Sequence, residues 1–517
     1  MTDELVVPER SSERYDLVLI YPPWAVREGL ASLENCLPPL GLLSIASYVE
    51  QQGYRVAIYD IHAEGIDDEE VRRRLKRDQP RFVGMSVLTP MAVPAHKIAR
   101  IAKQEVPDCT VVLGGAHAEV LPERMLCNSA IDMVVRGDGE DAMLEIMQGR
   151  PLSSILGLSF RVGEKLEHNA LRPLEMDLDR FPFPAYHLID FDRYFPSVAS
   201  YKSLPAINMI MTRGCPGRCI YCNSARTTLR TRDPARVVDQ IRQLRANHGI
   251  RQVQFYDDTF TVSKKACLEF CRLMEEAQLD VTWTAYIRGD CFSEQLAAAM
   301  KRAGCNQVLM GVESGNAEIC RRLGKSIDKE RYRSAVRIAH EQGLEVRGSF
   351  MSGNLGDTWE TMLETLEFAI DLDVDLFQLF VCMPFPGTPI FNEALEKGWL
   401  RHLDWYEYGQ GNVLIDQPQV SEDEIQRFQR LAYRRFYLRP IVARRMITRI
   451  TSWFHVRDYL HAALVLLLGH VKERHPGWEC WKGLKEEEFL DLDLGKDRLQ
   501  RLTWEVRQTT GLQEPAA

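Results

Sequence analysis

Residues 213–224 read Arg213-Gly-Cys215-Pro-Gly-Arg-Cys219-Ile-Tyr-Cys222-Asn-Ser224. The three cysteines, spaced C-x3-C-x2-C, follow directly on the apolar run 206–212. A loop that leaves a strand end with three thiolates can wrap one iron–sulfur cluster. Three ligands cannot saturate four irons, so one iron stays open. A zinc site would want a fourth ligand close by, and no other Cys or His lies within 20 residues on either side. Zinc and unrelated reduced thiols are the alternatives, and both fit this spacing less well.

Outward from the motif, strand-like runs recur at 206–212, 252–256, 282–287, 306–312, 345–351 and 376–382, with helical stretches between them. Six βα units are too few for a closed eight-unit barrel. The spacing therefore predicts an open, partial (β/α)6 TIM-like barrel over 206–400. Upstream, strands at 15–21, 55–59, 82–88, 110–113 and 132–135 alternate with helical segments at 41–52, 66–77, 92–105, 119–127 and 140–148. That alternation predicts a doubly wound, Rossmann-like parallel sheet over 15–150. Residues 1–14 are polar and expected to be a disordered tail. Residues 151–205 carry a hairpin pattern around Gly163 and the rigid Phe181-Pro-Phe-Pro184, and read as a linker. Residues 401–517 read as a mainly helical C-terminal region rich in Trp and Arg.

The composition, 45% hydrophobic and 26% charged over 517 residues, is that of a globular protein. It excludes disordered, collagen-like and disulfide-scaffold classes. With 64 Lys+Arg against 73 Asp+Glu the net charge is −9, which argues against a nucleic-acid partner. The 13 Cys are an odd count, and the N-terminus has no apolar signal stretch. Both point to a reducing cytoplasm, where clustered thiols are ligands before they are disulfides. No run of 18 apolar residues occurs, so no bilayer span is expected.

The cysteine motif, with Tyr221 before its last Cys, resembles the signature of the radical S-adenosylmethionine (SAM) enzymes. The resemblance implies a [4Fe–4S] cluster on Cys215, Cys219 and Cys222. Its open iron would chelate the amino and carboxylate groups of SAM. One electron, from a donor such as flavodoxin or ferredoxin, would then release a 5′-deoxyadenosyl radical. Phe255-Tyr-Asp257-Asp258-Thr-Phe260 ends the second barrel strand, and strand C-termini face the active site in such folds. Asp257 and Asp258 are thereby expected to meet SAM or substrate. Gly311-Val-Glu313-Ser ends the fourth strand and resembles the family's Gly-x-Glu-Ser segment, which implies that Glu313 contacts the SAM ribose or amino group. Arg288 ends the third strand, where it pairs with the SAM carboxylate or with a structural partner.

In the first domain, Gly114 and Gly115 follow the fourth strand, and Gly137 and Gly139 the fifth. Glycines at the carboxyl ends of parallel strands leave room for a ligand against backbone. Together with Ser86-Val-Leu-Thr89, and lying directly before a radical SAM core, they resemble the cobalamin-binding domain of the cobalamin-dependent radical SAM class. The resemblance implies Ser86, Thr89 and these four glycines as cofactor-binding residues. Asp60-Ile-His62-Ala-Glu-Gly65 matches the D-x-H-x-x-G pattern by which some cobalamin proteins ligate cobalt. Here it follows the second strand instead of the first, so His62 is expected on a surface loop, with cobalamin bound without a protein His.

The class implies a methyltransferase acting on an unactivated carbon or phosphorus of a small-molecule or lipid-like substrate. One SAM methylates reduced cobalamin, a second yields the radical that abstracts a substrate hydrogen, and the substrate radical takes the methyl group. The rival enzyme is an oxidative cyclase or ring-rearranging enzyme resembling anaerobic magnesium-protoporphyrin monomethyl ester cyclase. A non-enzymatic cobalamin sensor or store would not need the three cysteines. A methylthiotransferase would want a second three-Cys set in the first domain, and none is present.

From Arg427 to Arg457 the chain carries nine Arg and no Asp or Glu, interleaved with Phe428, Tyr433, Phe436, Tyr437, Trp453 and Phe454. Such a stretch is a solvated helical face or a binding surface for an anionic membrane or substrate. Tyr459 to Val471 adds an apolar helix, either core or a dip into a bilayer. The expected location is cytoplasmic, with peripheral membrane contact through this region.

Overall fold

Apolar runs build two largely parallel sheets, and the carboxyl ends of their parallel strands meet at one cleft. The computed structural model describes residues 14–24, 35–163, 165–325, 327–409, 411–450, 452–468 and 480–491. The expected tail at 1–14 lies outside them except for Arg14.

The first sheet contains β1 (Leu17–Tyr21), β2 (Val56–Asp60), β3 (Phe82–Ser86), β4 (Thr110–Gly114) and β5 (Met133–Val135), followed by β6 (Leu158–Val162) and β7 (Lys165–His168). Its order is β2-β1-β3-β4-β5-β6-β7. The first five strands run parallel and the last two antiparallel. The chain reverses direction across the sheet between β1 and β3, which is where such folds open a crevice for a ligand. The hairpin turning at Gly163 thus extends the first sheet, so the segment after residue 150 begins as sheet edge and becomes connector only later. The accompanying helices are α1 (Leu40–Glu50), α2 (Ile61–Glu64), α3 (Asp68–Asp78), α4 (Ala92–Glu105), α5 (Ala116–Val120), α6 (Pro122–Leu126) and α7 (Gly139–Met147).

The second sheet is a half-barrel. Its strands are β8 (Ala206–Met209), β11 (Gln252–Phe255), β12 (Thr282–Ile287), β13 (Cys305–Glu313), β14 (Glu345–Ser352) and β15 (Leu376–Val381), all parallel and in sequence order. A short ladder of β9 (Thr212–Arg213) and β10 (Arg230–Thr231) frames the cysteine loop. Outside lie α8 (Pro234–His248), α9 (Lys264–Ala277), α10 (Glu294–Arg302), α11 (Ala317–Arg322), α12 (Lys329–Glu341), α13 (Trp359–Asp371) and α14 (Pro389–Glu396). Asp233, Ser263, Ser293, Asp328 and Thr358 each accept a backbone N–H at a helix start. Such caps stabilise a helix by about 1 kcal/mol each.

An open barrel leaves strand edges and a floor to close. The backbone of edge strand β15 is met by tyrosine hydroxyls from α15 (Glu422–Tyr437). Tyr437 Oη accepts from Phe377 N at 3.1 Å and donates to Phe377 O at 2.8 Å, and Tyr433 Oη does the same at Leu379. At the amino ends of the strands the connector plugs the floor. Gln252 accepts from Lys202 N at 2.6 Å, Gln254 donates to Ser200 O at 2.8 Å, and Gln307 donates to Ala199 O at 3.1 Å.

The C-terminal helices α15, α16 (Pro440–Thr448) and α17 (Trp453–Leu468) pack on the barrel. Part of the arginine run turns inward: Arg445 pairs with Asp373 at 2.6 Å and Arg449 with Glu345 at 2.9 Å. Among the described residues no helix is long and apolar enough to cross a membrane. The side chains of 461–468 and all of 469–479, which carry most of the apolar segment noted above, lie outside the described residues.

Beyond them, residues 480–491 form a strap across the first domain, with a 3₁₀ turn at Glu486–Phe489. Glu486 is buried there, accepting from Arg124 Nε at 2.8 Å and from Trp405 Nε1 at 2.8 Å, with His96 Nε2 at 3.4 Å. Burial pushes its carboxyl up, but His96 and Arg124 outweigh burial and bring it down to about 2. An unfolded Glu titrates near ~4.3, so this stabilisation is complete above that pH and is lost as pH falls towards about 2. Breaking a buried pair costs about 3–5 kcal/mol. We expect Glu486→Gln to lower the unfolding free energy by about 3 kcal/mol in denaturant titrations at pH 7. The gap between variant and parent should narrow steadily below pH ~4.

Candidate functional site

The cysteine loop leaves the barrel immediately after β9. Gly214 holds φ +93°, and a Cβ there would lie 2.3 Å from Thr228 O, so only glycine turns this corner. Cys215, Cys219 and Cys222 are half-exposed, whereas most other cysteines of the described chain are buried. Burial raises the Cys222 thiol, and Asp258, Cys219 and Cys215 raise it further; the three thiols are electrostatic neighbours. Among the described residues no three ligating side chains converge on one point as a single ion requires. Three half-exposed thiols on one loop suit a multi-iron cluster instead, because each thiolate then takes its own iron. Gly217 N donates to Cys215 Sγ at 3.4 Å.

Tyr221 lies beside Cys219 and Glu313; burial, then Glu313 and Cys219, push its phenol far up. Glu313 ends β13 after a register shift at Gly311/Glu313 and holds φ +68°. The bulge re-aims its side chain towards the loop. Its carboxylate meets Lys325 Nζ at 2.8 Å, and that ammonium also donates to Gly311 O at 2.6 Å. Arg288 pairs with Asp290 at 2.7 Å and reaches to 3.6 Å of where a Gly217 Cβ would stand. Glu313 and Arg288 thus both flank the cysteine loop.

The two aspartates differ. Asp257 is buried and accepts from Met211 N at 3.2 Å, Thr212 N at 2.5 Å and Thr212 Oγ1 at 2.6 Å. Burial pushes its carboxyl up to about 7 against those bonds. Its oxygens are thereby committed to the strand that launches the cysteine loop. Asp258 is exposed and lines a cavity between the two sheets.

That cavity, about 400 Å³, runs from the carboxyl ends of β3, β4 and β5 to Gly214 beside Cys215. Ser86, Gly114, Gly115, Gly137 and Gly139 line it; Thr89 does not. Thr89 sits behind it, 3.3 Å from His117 Nδ1. His117 is buried, and desolvation brings its imidazole down to about 3, so it is neutral. Gly115 has φ +91° and no room for a side chain, since a Cβ would lie 2.7 Å from Val87 N. At Gly41 and Gly137 a Cβ would meet no protein atom within 4 Å; these glycines keep the cradle open. The cradle and the cysteine loop face one space, as two cooperating cofactors require. His62 is not on a surface loop as expected. It is 7% exposed on α2, stacked on Trp24 with ring centroids 3.4 Å apart, and does not line the cavity.

A radical SAM superfamily model matches residues 209–369, and a B12-binding domain model matches 27–147. An uncharacterized methyltransferase of Pyrococcus horikoshii is 33% identical over 413 residues, covering 78% of this chain and 89% of that one. The chain belongs to the cobalamin-dependent radical SAM enzymes. The cofactors of this B12-binding radical SAM enzyme are a [4Fe–4S] cluster, SAM and cobalamin. An anaerobic magnesium-protoporphyrin IX monomethyl ester cyclase of Rubrivivax gelatinosus is 26% identical, covering 82% of this chain and 77% of that one. A cytidylyl-2-hydroxyethylphosphonate methyltransferase of Streptomyces wedmorensis is 28% identical, covering 76% and 84%. In fold, the enzyme is similar to the radical SAM methyltransferase TsrM of Kitasatospora setae, with TM-score 0.64, 17% identity, and coverage of 96% of this chain and 100% of that one.

The site also contains residues that no local motif announces. Lys325 is one; Arg213 is another. Arg213 crosses from the cysteine strand to the first domain, meeting Glu140 at 2.7 Å and Asp138 at 3.2 Å. Arg230 from β10 pairs with Asp138 as well, and Ser44 Oγ donates to Glu140 at 2.8 Å. Burial raises the Asp138 carboxyl, but Arg230 and Arg213 outweigh it and hold the carboxyl below its ordinary range. The adjacency of Arg213 to Cys215 was the one available signal. Arg213→Met strands the buried Glu140, and the expected loss is about 3 kcal/mol of stability. Chemical denaturation checks this, and a change within 0.5 kcal/mol, roughly that of a surface substitution, would exclude the seam as a structural tie.

Proposed function

We propose that the enzyme is a methyltransferase that places a methyl group on an unactivated carbon or phosphorus of a small molecule. The observation that carries this is the single cavity reaching both the glycine cradle and the cysteine loop. The names of two relatives support it. Bound cobalamin supplies a methyl carrier, and the cluster with SAM supplies a carbon-centred radical that abstracts hydrogen. Cys215, Cys219 and Cys222 hold the cluster. Glu313, held by Lys325, and Arg288 orient SAM beside it. Ser86, Gly114, Gly115, Gly137 and Gly139 seat cobalamin, with Thr89 supporting the seat from behind. Asp258, exposed in the cavity, is placed to meet SAM or substrate, while Asp257 acts through the strand it ties. A small redox protein of the flavodoxin or ferredoxin kind delivers the electron.

The cyclase-like relatives favour a second reading, oxidative ring closure, with the same cofactors. By-products separate the two. Methylation consumes SAM in two roles, so S-adenosylhomocysteine and 5′-deoxyadenosine should accumulate in about equal amounts, and methyl-deuterated SAM should label the product. Sustained 5′-deoxyadenosine without S-adenosylhomocysteine would instead indicate cyclisation. In either case Cys215→Ala, Cys219→Ala and Cys222→Ala should each abolish SAM cleavage, whereas Cys267→Ala should keep the full iron complement.

We also infer peripheral contact with an anionic membrane. Eight large apolar side chains between Leu431 and Leu460 are exposed, Trp453 at 76%, on the segment whose nine arginines meet no acidic neighbour in sequence before Asp458. Basic, aromatic surfaces of this kind bind interfaces. Because Arg435 and Arg445 are paired with Glu367 and Asp373, Arg434 and Arg444 are the arginines to change. The protein should float with anionic liposomes at low salt and detach at high salt, where exposed charges are screened within a few ångströms. Arg434→Gln/Arg444→Gln should weaken flotation. Absence of flotation at every salt concentration would exclude the membrane.

A further inference from the structure

The inner face of the half-barrel, beneath the cysteine loop, carries polar side chains whose bonding capacity the protein leaves unspent. Register places them in two rows. Tyr286 lies opposite Leu309, and Leu309 opposite Arg347. One row higher, Gly311 lies opposite Ser349, and Ser349 opposite Gln378. Alternation along a strand sends Arg347 and Ser349 to one face and Val346 and Phe350 to the other; the latter two are fully buried in the core under the helices. The Arg347 face is the lumen. Arg288, two residues after Tyr286, reaches the cysteine loop at Gly217. Tyr256, which packs edge-to-face on Tyr286 at 5.6 Å, lines the cavity that extends to Gly214.

Arg347 is 5% exposed. Its contacts are Ser197 Oγ and Val198 O, both at 3.4 Å, and among the described residues no carboxylate lies within ion-pair distance. The glutamines that grip the same floor do so at 2.6–3.1 Å. The groups around its charge are the phenols Tyr286, Tyr437 and Tyr256 and a second cation, Arg449. Buried Arg81, Arg124 and Arg230, by contrast, each meet an acid. A buried charge without a counter-ion costs several kcal/mol, and nothing in the floor contacts requires an arginine. Ser349 and Gln378 are half-buried, and their side chains have no hydrogen-bond partner among the described residues. Half-exposure inside a barrel means open space in front of them.

We propose that this lumen face anchors the substrate through an oxyanion group, a carboxylate, phosphate or phosphonate, with Arg347 as its counter-ion and Ser349 and Gln378 as donors. The proposal deepens the methyltransferase reading and rests on it. The guanidinium fork matches the geometry of such oxyanions. Rigid strands hold Arg347 one row, about 7 Å, below the level of Arg288, with Ser349 and Gln378 at that level. A substrate held there by its charged end presents an uncharged part to the space between the two cofactors. Substrates without an anionic group are excluded.

The test is calorimetric titration of inorganic phosphate, and separately of acetate, into enzyme loaded with cluster and cobalamin. Wild type should bind at least one of the two probes, and which one it binds distinguishes a phosphorus oxyanion from a carboxylate. Arg347→Gln should weaken that binding at least tenfold, and Arg347→Lys, which keeps the charge but loses the fork, should fall between them. Equal binding by Arg347→Gln and wild type, or no binding by wild type, overturns the proposal. Unchanged iron content and cobalamin absorbance in the variants show that the fold and the cofactor reading stand; loss of both from wild type itself would be a failure of that reading instead. Should Arg347→Gln not retain its cofactors, Gln378→Leu decides: a loss of at least threefold is expected, and an unchanged affinity overturns the anchor.

Discussion

The site depends on one seam of charge. Arg213 and Arg230 leave the two short strands that frame the cysteine loop and end on Asp138 and Glu140, at the mouth of the glycine cradle. Two sheets that each point their strand ends at a cofactor must also be kept facing one another. A flexible connector cannot do that. Buried, multiply bonded ion pairs fix orientation because every member loses its partner at once if the sheets rotate. Gly137 and Gly139 flank Asp138 in the chain, so the residues that tie the domains are interleaved with those that open the cradle.

The half-barrel meets a second constraint, the closure of what a full barrel would close by itself. An exposed edge strand invites pairing with another chain. Here Tyr433 and Tyr437 answer β15 with hydroxyls spaced like the backbone groups of an absent strand, two residues apart along β15 and four apart along α15. A helix can take the place of a strand only in this way, since its own N–H and C=O groups are already spent. The floor is closed by glutamines reading the connector's backbone, which leaves the lumen lined with side chains yet not filled.

Local periodicity made much of this legible. The strands of both sheets, the cysteine loop and the Gly-x-Glu-Ser strand end all depend on residues within a dozen positions of one another, and each falls within a few residues of its expected place. Long-range partners did not show. Glu140 and Arg213 are 73 residues apart, and Arg449 and Glu345 are 104 apart; no spacing rule links them. The arginine run reads as one basic face, yet inward acids claim part of it. The hairpin at Gly163 was visible as a hairpin, but its membership of the first sheet depends on β5 offering an open edge at Val135. His62 was misplaced for a similar reason, because its stacking partner Trp24 belongs to the neighbouring strand's loop.

The strap carried by Glu486 has a consequence in time. Arg124 waits 362 residues for its carboxylate. At typical elongation rates of roughly 5–20 residues per second, that delay is roughly 20–70 s. A nascent first domain therefore emerges with a cationic, tryptophan-seeking pocket unsealed while the entire barrel is still being made. The order of synthesis and the order of closure run opposite to each other: the domain that is translated first is the last to be finished.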